Sequence, residues 1–274
     1  FMNLNYKLIA TDMDDTLLNK DQEISIENEE SIIDVQKKGV IFVLASGRPS
    51  FAMFEYAKKL QMDRFGGYIL AFNGGELINF KNNELVFQQG LDKKDIEIIY
   101  NISKKLDLTM LLYQDDTVFA TSEAAEALVE AKLCKMKFQK FEALKELEKF
   151  GVTKTAKCMI VGDPELVKNA EKYMKELYGN DYFIAISKPI FLEIANKNVN
   201  KGKTLARLGK ILQIKTEEMI AVGDSGNDRP LLETVGMPVA VANAPEEIKN
   251  LSKFVSTSND ENALKTVIDK FFGS

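Results

Sequence analysis

Apolar residues in this chain fall into short unbroken runs, separated by stretches in which they recur every third or fourth position. Residues 40–45 (Val-Ile-Phe-Val-Leu-Ala) are the clearest run, and a continuous apolar segment of that length marks a strand buried on both faces, as in a parallel sheet. Residues 6–11, 68–71 and 219–222 read the same way, with a shorter strand at 239–241. Between the strands the period is helical. Ser25 caps a helix to about residue 38, with Ile32, Ile33 and Val35 on its buried side and Gly39 at the C-terminal cap position. Further helices are expected from Pro49 to about residue 60 and at 201–212, 227–235 and 259–272. Strands alternating with helices in this manner predict right-handed βαβ units.

Past residue 76 the pattern changes. Residues 76–79 and 84–88 read as a hairpin around Lys81-Asn82-Asn83. A helix at 92–106 is followed by strands near 108–113 and 117–120, helical stretches at 123–136 and 141–150, and a strand near 156–161. A helix at 163–178 and strands near 182–186 and 190–195 complete this middle part. A helix-strand-strand unit stands at each end of it, a repeat too loose to separate from chance. The expected fold is α/β: a Rossmann-like, doubly wound parallel-sheet core of residues 1–84 and 188–274, with an α+β cap domain of residues 85–187 inserted.

Composition narrows the function. A formal charge of −5 with no basic run argues against a nucleic-acid or membrane-surface partner. The apolar runs are far too short to span a bilayer, and no basic start followed by an apolar segment marks a secretory signal. Phe1 ahead of Met2 reads as an extraneous leading residue. The cytoplasm is the expected compartment. Cys134 and Cys158, the two cysteines, lie among apolar neighbours and predict core positions rather than a disulfide or a thiolate metal site. Histidine is absent, which removes Ser-His-Asp and Cys-His chemistry and imidazole ligation. Catalysis here has to run on carboxylates, lysine, hydroxyls and a hard metal.

Ligands of open parallel sheets bind beyond the carboxyl ends of the strands, and four such ends carry unusual residues. After the first strand come Asp12 and Asp14, two apart and so on one face while strand geometry persists. Read alone, this Asp-x-Asp-x-Thr stretch is equally a surface turn. After the second strand, Ser46 and Gly47 open a helix, where a hydroxyl and a free amide suit a phosphate oxygen, although an N-cap is the commoner role. Asp224 follows residues 219–222 between Gly223 and Gly226, and Asp228 opens the next helix, where its charge suits the dipole. Lys201 stands in the first turn of a helix, an unfavourable place for a cation unless it is solvated or an anion compensates it. Together these make a hard-cation site beside an anion site. Mg²⁺ is the expected metal, with Asp12 and Asp224 as side-chain ligands, the Asp14 carbonyl as a third, and Asp228 acting directly or through water. Arg48 and Asn73 are further candidates for substrate or structural contacts, and Tyr113, Phe119 and Met136 are read as core.

The ordered motifs Asp12-x-Asp14-x-Thr16, Ser46-Gly47-Arg48, Lys201-Gly202 and Gly223-Asp224-Ser225-Gly226-Asn227-Asp228 resemble those of the haloacid dehalogenase superfamily of phosphohydrolases. Asn73-Gly74-Gly75 before the insert and Ala240-Val241-Ala242-Asn243-Ala244 after it resemble the Cof-type branch with a type IIB cap. Arg229-Pro230 and Ala242 depart from the usual pattern at positions that are not ligands. The resemblance implies a phosphatase of small phosphomonoesters: sugar phosphates, pyridoxal phosphate or flavin mononucleotide. It implies Asp12 as nucleophile, Asp14 as acid and base, and Lys201, Ser46, Gly47, Arg48 and Asn227 around the transferring group, under an insert acting as a lid. Thr16 is expected to brace the loop, and Asp15 to point away from the Asp12 face. A sugar phosphomutase of the same superfamily is the alternative. A phospho-accepting receiver is a second, but its acceptor follows the third strand, not the first.

Overall fold

The apolar runs become strands. The computed structural model describes residues 6–273, and the leading Phe1 and Met2 lie outside them. In chain order the strands are β1 Leu8–Thr11, β2 Ile41–Ala45, β3 Tyr68–Ala71, β4 Glu76–Asn79, β5 Glu84–Gln88, β6 Thr109–Gln114 and β7 Thr117–Ala120. They continue with β8 Lys137–Lys140, β9 Lys157–Val161, β10 Tyr182–Lys188, β11 Phe191–Asn196, β12 Met219–Gly223, β13 Met237–Ala240 and β14 Phe254–Val255. Two sheets result, ordered β14-β13-β12-β1-β2-β3-β4-β5 and β10-β11-β9-β6-β7-β8.

The first sheet belongs to a unit that runs to Phe87 and resumes at Asn200. β14, β13, β12, β1, β2 and β3 are parallel neighbours, and only the β3–β4 pairing is antiparallel among those with a described register. β1 lies in the middle, so consecutive segments leave it on one side toward β2 and return on the other at β12. That reversal of order opens a crevice at the carboxyl end of β1. Helix Ile26–Lys37 begins where Ser25 accepts the Asn28 N–H at 3.2 Å and stops at Gly39, whose φ of +92° a side chain would resist. It packs on the last helix, Ala263–Phe272, while helix Lys201–Leu212 packs on Arg229–Thr234.

The second of these helix pairs depends on one glycine. A Cβ on Gly202 would lie 2.0 Å from the Pro230 carbonyl oxygen and 2.4 Å from Thr234 Oγ1. Gly202→Ala is expected to force the helices apart, to cost about 1–3 kcal/mol, and to move the neighbouring Lys201. Urea unfolding followed by circular dichroism checks this, and an unchanged midpoint would show that the helices can give way.

The second unit is Gln88–Val199. Its sheet is antiparallel except for the β7–β8 pair. Met110 faces Ile160, and Leu112 faces Cys158, across β6 and β9, with Leu192 and Ile194 continuing the same face on β11. Helices Lys93–Lys105 and Pro164–Tyr178 bring Ile96, Ile99, Val167, Ala170 and Met174 onto that face to close the core. Tyr113, Phe119 and Met136 are buried in this unit, as are the two free cysteines.

Two expectations need correction. The core boundary expected at residue 188 falls too early: the strand at 190–195 that completes the middle part is β11, which pairs with β9 and β10 in the second sheet, and β5 belongs to the first. Alternating apolar residues fix a strand's period but not which sheet takes it. Residues 137–140, placed between two helices, form β8 through parallel pairing with β7, although Lys-Phe-Gln-Lys carries one apolar side chain. Among the described residues no helix is long and apolar enough to cross a membrane.

Candidate active site

Parallel pairing brings three strand ends level. Thr11 stands opposite Leu44 on one side and Val222 on the other, so Asp12, Ser46 and Asp224 leave the sheet at one edge. The Asp12 N–H continues the ladder to the Val222 carbonyl at 2.9 Å, and the Ser46 N–H to that of Leu70 at 2.9 Å. Beyond Asp12 the chain turns sharply through Asp14, which is extended, and Asp15, which is left-handed at φ 57°. Asn243 Nδ2 donates to the Asp15 carbonyl at 2.8 Å, and the Asp15 side chain stays exposed.

Lys201 is the first residue of its helix and is fully buried. Its Nζ donates to Asp12 Oδ1 at 2.5 Å and to Asp228 Oδ1 at 2.6 Å, so anions do compensate this cation at a helix start. Asp228 Oδ2 accepts the N–H groups of Asp224 at 3.0 Å and Ser225 at 3.1 Å, which ties the loop after β12 into a fixed shape. Gly223 is required there because a Cβ would lie 2.6 Å from that of Asp228. Thr16 donates its hydroxyl to Asp224 Oδ1 at 2.6 Å, joining the loops after β1 and β12.

Asp12, Asp224 and Asp228 each present a carboxylate oxygen, all within 4.8 Å of one another. Three carboxylates against one ammonium leave two negative charges without a partner cation in the cluster. The protonation balance reflects that shortage. Burial pushes the Asp12 carboxyl well above the usual range; Lys201 opposes this, while Asp228 and Asp224 add to it. Burial likewise lifts Asp224 to about 6, against the Thr16 hydrogen bond and with the charges of Asp228 and Asp15. Lys201 is held above the ordinary lysine range: burial works against its charge, but the two carboxylates outweigh burial. A donor set made only of oxygens, short by two positive charges, fits a hard divalent cation. Asp228 has both oxygens engaged, whereas the described hydrogen bonds of Asp12 and Asp224 use only Oδ1, leaving Oδ2 on each to face a cation.

The Asp14 side chain stands apart from this cluster. Arg48 forks onto it, Nε to Oδ2 at 2.9 Å and Nη2 to Oδ1 at 2.6 Å. Nη2 also reaches Gln22 Oε1 at 2.5 Å, and the guanidinium lies 5.5 Å from the centroid of the Tyr56 ring. Arg48 is a candidate for substrate or structural contacts, and its partner here is the neighbouring acid. Ser46 is buried, and its Oγ accepts the Arg48 N–H at 3.1 Å. Gly47 backs onto the Asn73 side chain, which accepts from Asn227 Nδ2 at 3.2 Å; Asn227 Oδ1 in turn accepts from Ser225 Oγ at 2.6 Å. Asn227 therefore links the Ser225 and Asn73 side chains. Gln22 and Tyr56 carry no motif and were missed, since only the folded chain brings them to Arg48.

A profile of haloacid dehalogenase-like hydrolases matches residues 9–268. A putative phosphatase of Bacillus subtilis, YxeH, is 29% identical over 264 residues, covering 96% of this chain and 97% of its own length. YwtE of the same organism, named a 5-amino-6-(5-phospho-D-ribitylamino)uracil phosphatase, is 28% identical over 287 residues, covering 96% and 97%. A haloacid dehalogenase-like hydrolase from Bacteroides thetaiotaomicron superposes with a TM-score of 0.90 at 33% identity, covering 97% of this chain and all of its own. The chain belongs to the haloacid dehalogenase-like hydrolase family.

Proposed function

We propose that this protein is a Mg²⁺-dependent phosphatase of small phosphomonoesters that works through an aspartyl phosphate on Asp12. The observation that carries the reading is the position of Asp12: at the end of the central strand, bonded to a buried lysine, and facing two further carboxylates. Lys201 opposes the rise that burial imposes on the Asp12 carboxyl and so favours its ionised form, which is the form that attacks. Asp12 forms a bond to phosphorus as the bond to the leaving oxygen breaks, and that oxygen takes the proton of Asp14. Asp14 then removes a proton from the water that cleaves the aspartyl phosphate, which returns Asp12 and releases inorganic phosphate. Ser46, the Gly47 amide and Lys201 hold the oxygens of the transferring group. Asp12, Asp224 and Asp228 would hold Mg²⁺, which would supply positive charge to those oxygens when bound.

The substrate class is a small phosphorylated metabolite of the sugar phosphate, pyridoxal phosphate or flavin mononucleotide kind, in the cytoplasm. The name of the relative YwtE supports that class. Phosphate release from p-nitrophenyl phosphate and from a panel of such metabolites, with Mg²⁺ and with chelator, tests the reading. Release that stops with chelator is expected. Transfer between sugar positions without release would make the protein a mutase, and neither release nor transfer would end the proposal.

Asp14→Asn is expected to slow turnover by about 10²–10⁴-fold while leaving Mg²⁺ affinity nearly unchanged. The loss should be smaller for aryl than for alkyl phosphates, because a phenolate leaves without a proton. Steady-state rates and Mg²⁺ titration calorimetry check both parts.

A further inference from the structure

Arg48 has one fork and two claimants. Its Nε and Nη2 occupy both oxygens of Asp14, so in this state the acid has no oxygen clear of the guanidinium. The same planar fork fits two oxygens of a phosphate equally well. The Arg48 backbone belongs to the turn proposed above to hold the phosphate: its N–H donates to Ser46 Oγ, and its carbonyl accepts the Phe72 N–H at 3.0 Å. Gln22 Oε1 also accepts from Nη2, and the Tyr56 ring centroid lies 5.5 Å from the guanidinium, so Arg48 has contacts besides Asp14 to hold it.

We infer that the Arg48–Asp14 pair is a latch opened by substrate: the incoming phosphoryl group takes over the guanidinium, and Asp14 is released for its proton transfers. The inference rests on the phosphatase reading above and adds to it an order of events. Without phosphate the acid is tied to Arg48. With phosphate bound, Arg48 neutralises the substrate, and Asp14 is free to take from water the proton that it then gives to the leaving oxygen. Asp14 and phosphate therefore compete for one cation, which gives the latch a signature in binding as well as in rate.

The test is a double-mutant cycle in the binding of inorganic phosphate, measured by calorimetry on the full chain with Mg²⁺ present. Asp14→Asn is expected to tighten phosphate binding about tenfold, within the coupling range of contacting residues. The same change in an Arg48→Met background is expected to tighten it less than about twofold. Arg48→Lys, which keeps the charge but loses the fork, should give an intermediate gain and serves as a control for folding. An equal gain from Asp14→Asn in both backgrounds would show plain charge repulsion and overturn the latch. No gain in either background would overturn it as well. In both of those cases a wild-type chain that still hydrolyses p-nitrophenyl phosphate leaves the phosphatase reading standing. Failure of wild type to hydrolyse any phosphomonoester is the separate result that removes the reading itself.

Discussion

Asp12→Asn is expected to lower phosphate release by about 10⁴-fold or more, because the amide cannot attack phosphorus. The fold should survive the change. Asp12 is one of two carboxylates on Lys201, so the lysine keeps Asp228 at 2.6 Å, and the cluster loses one of its two excess negative charges. Thermal unfolding should therefore move little, or upward, while activity disappears. Residual turnover within tenfold of wild type would place the nucleophile elsewhere, and a collapse of stability would mean that Asp12 is chiefly structural.

Lys201→Met should have the opposite balance. Its ammonium is the only cation described on Asp12 and Asp228, and the side chain is fully buried. Removing it leaves two buried carboxylates with no cation described on them. Breaking a buried pair in this way typically costs about 3–5 kcal/mol, which for a chain of this size corresponds to a fall of roughly 10 °C in melting temperature. Part of that loss should return on adding Mg²⁺, since a divalent cation restores positive charge to the cluster. Scanning calorimetry with and without Mg²⁺ gives both values. A variant as stable as wild type without metal would show that Asp12 and Asp228 relieve their repulsion by binding protons instead.

The contrast between these substitutions shows what could be read from the residues in order. Strand ends carrying Asp12, Ser46 and Asp224 are marked by an apolar run stopping at a polar residue, a signal that sits within a few positions of the site. Parallel pairing then does the rest, because equal registers across β2, β1 and β12 bring the ends level. Lys201 was legible for a different reason: a cation at a helix start is locally wrong, and the fold corrects it with two anions. Thr16 was expected as a brace and does brace, on Asp224.

Other parts had no such signal. Arg48 looks like an anion binder from its neighbours in sequence, and only the folded turn after β1 shows Asp14 as its partner. Gln22 and Tyr56 reach the same guanidinium from segments with no distinctive spacing. The return to the first unit lies at Asn200 rather than at residue 188, because alternation of apolar residues has a period but no address. β8 was missed because a strand of Lys-Phe-Gln-Lys is held by its pairing with β7, not by burial of its side chains.

The central claim is that Asp12 becomes phosphorylated during turnover. Wild-type protein mixed with p-nitrophenyl phosphate and Mg²⁺, quenched in acid within milliseconds and reduced with borohydride, tests it by peptide mass spectrometry. Reduction converts an aspartyl phosphate to homoserine, so the peptide containing Asp12 should carry that change at residue 12 and nowhere else. A turning-over enzyme whose Asp12 peptide stays unmodified, or whose label lies on another residue, would contradict the account.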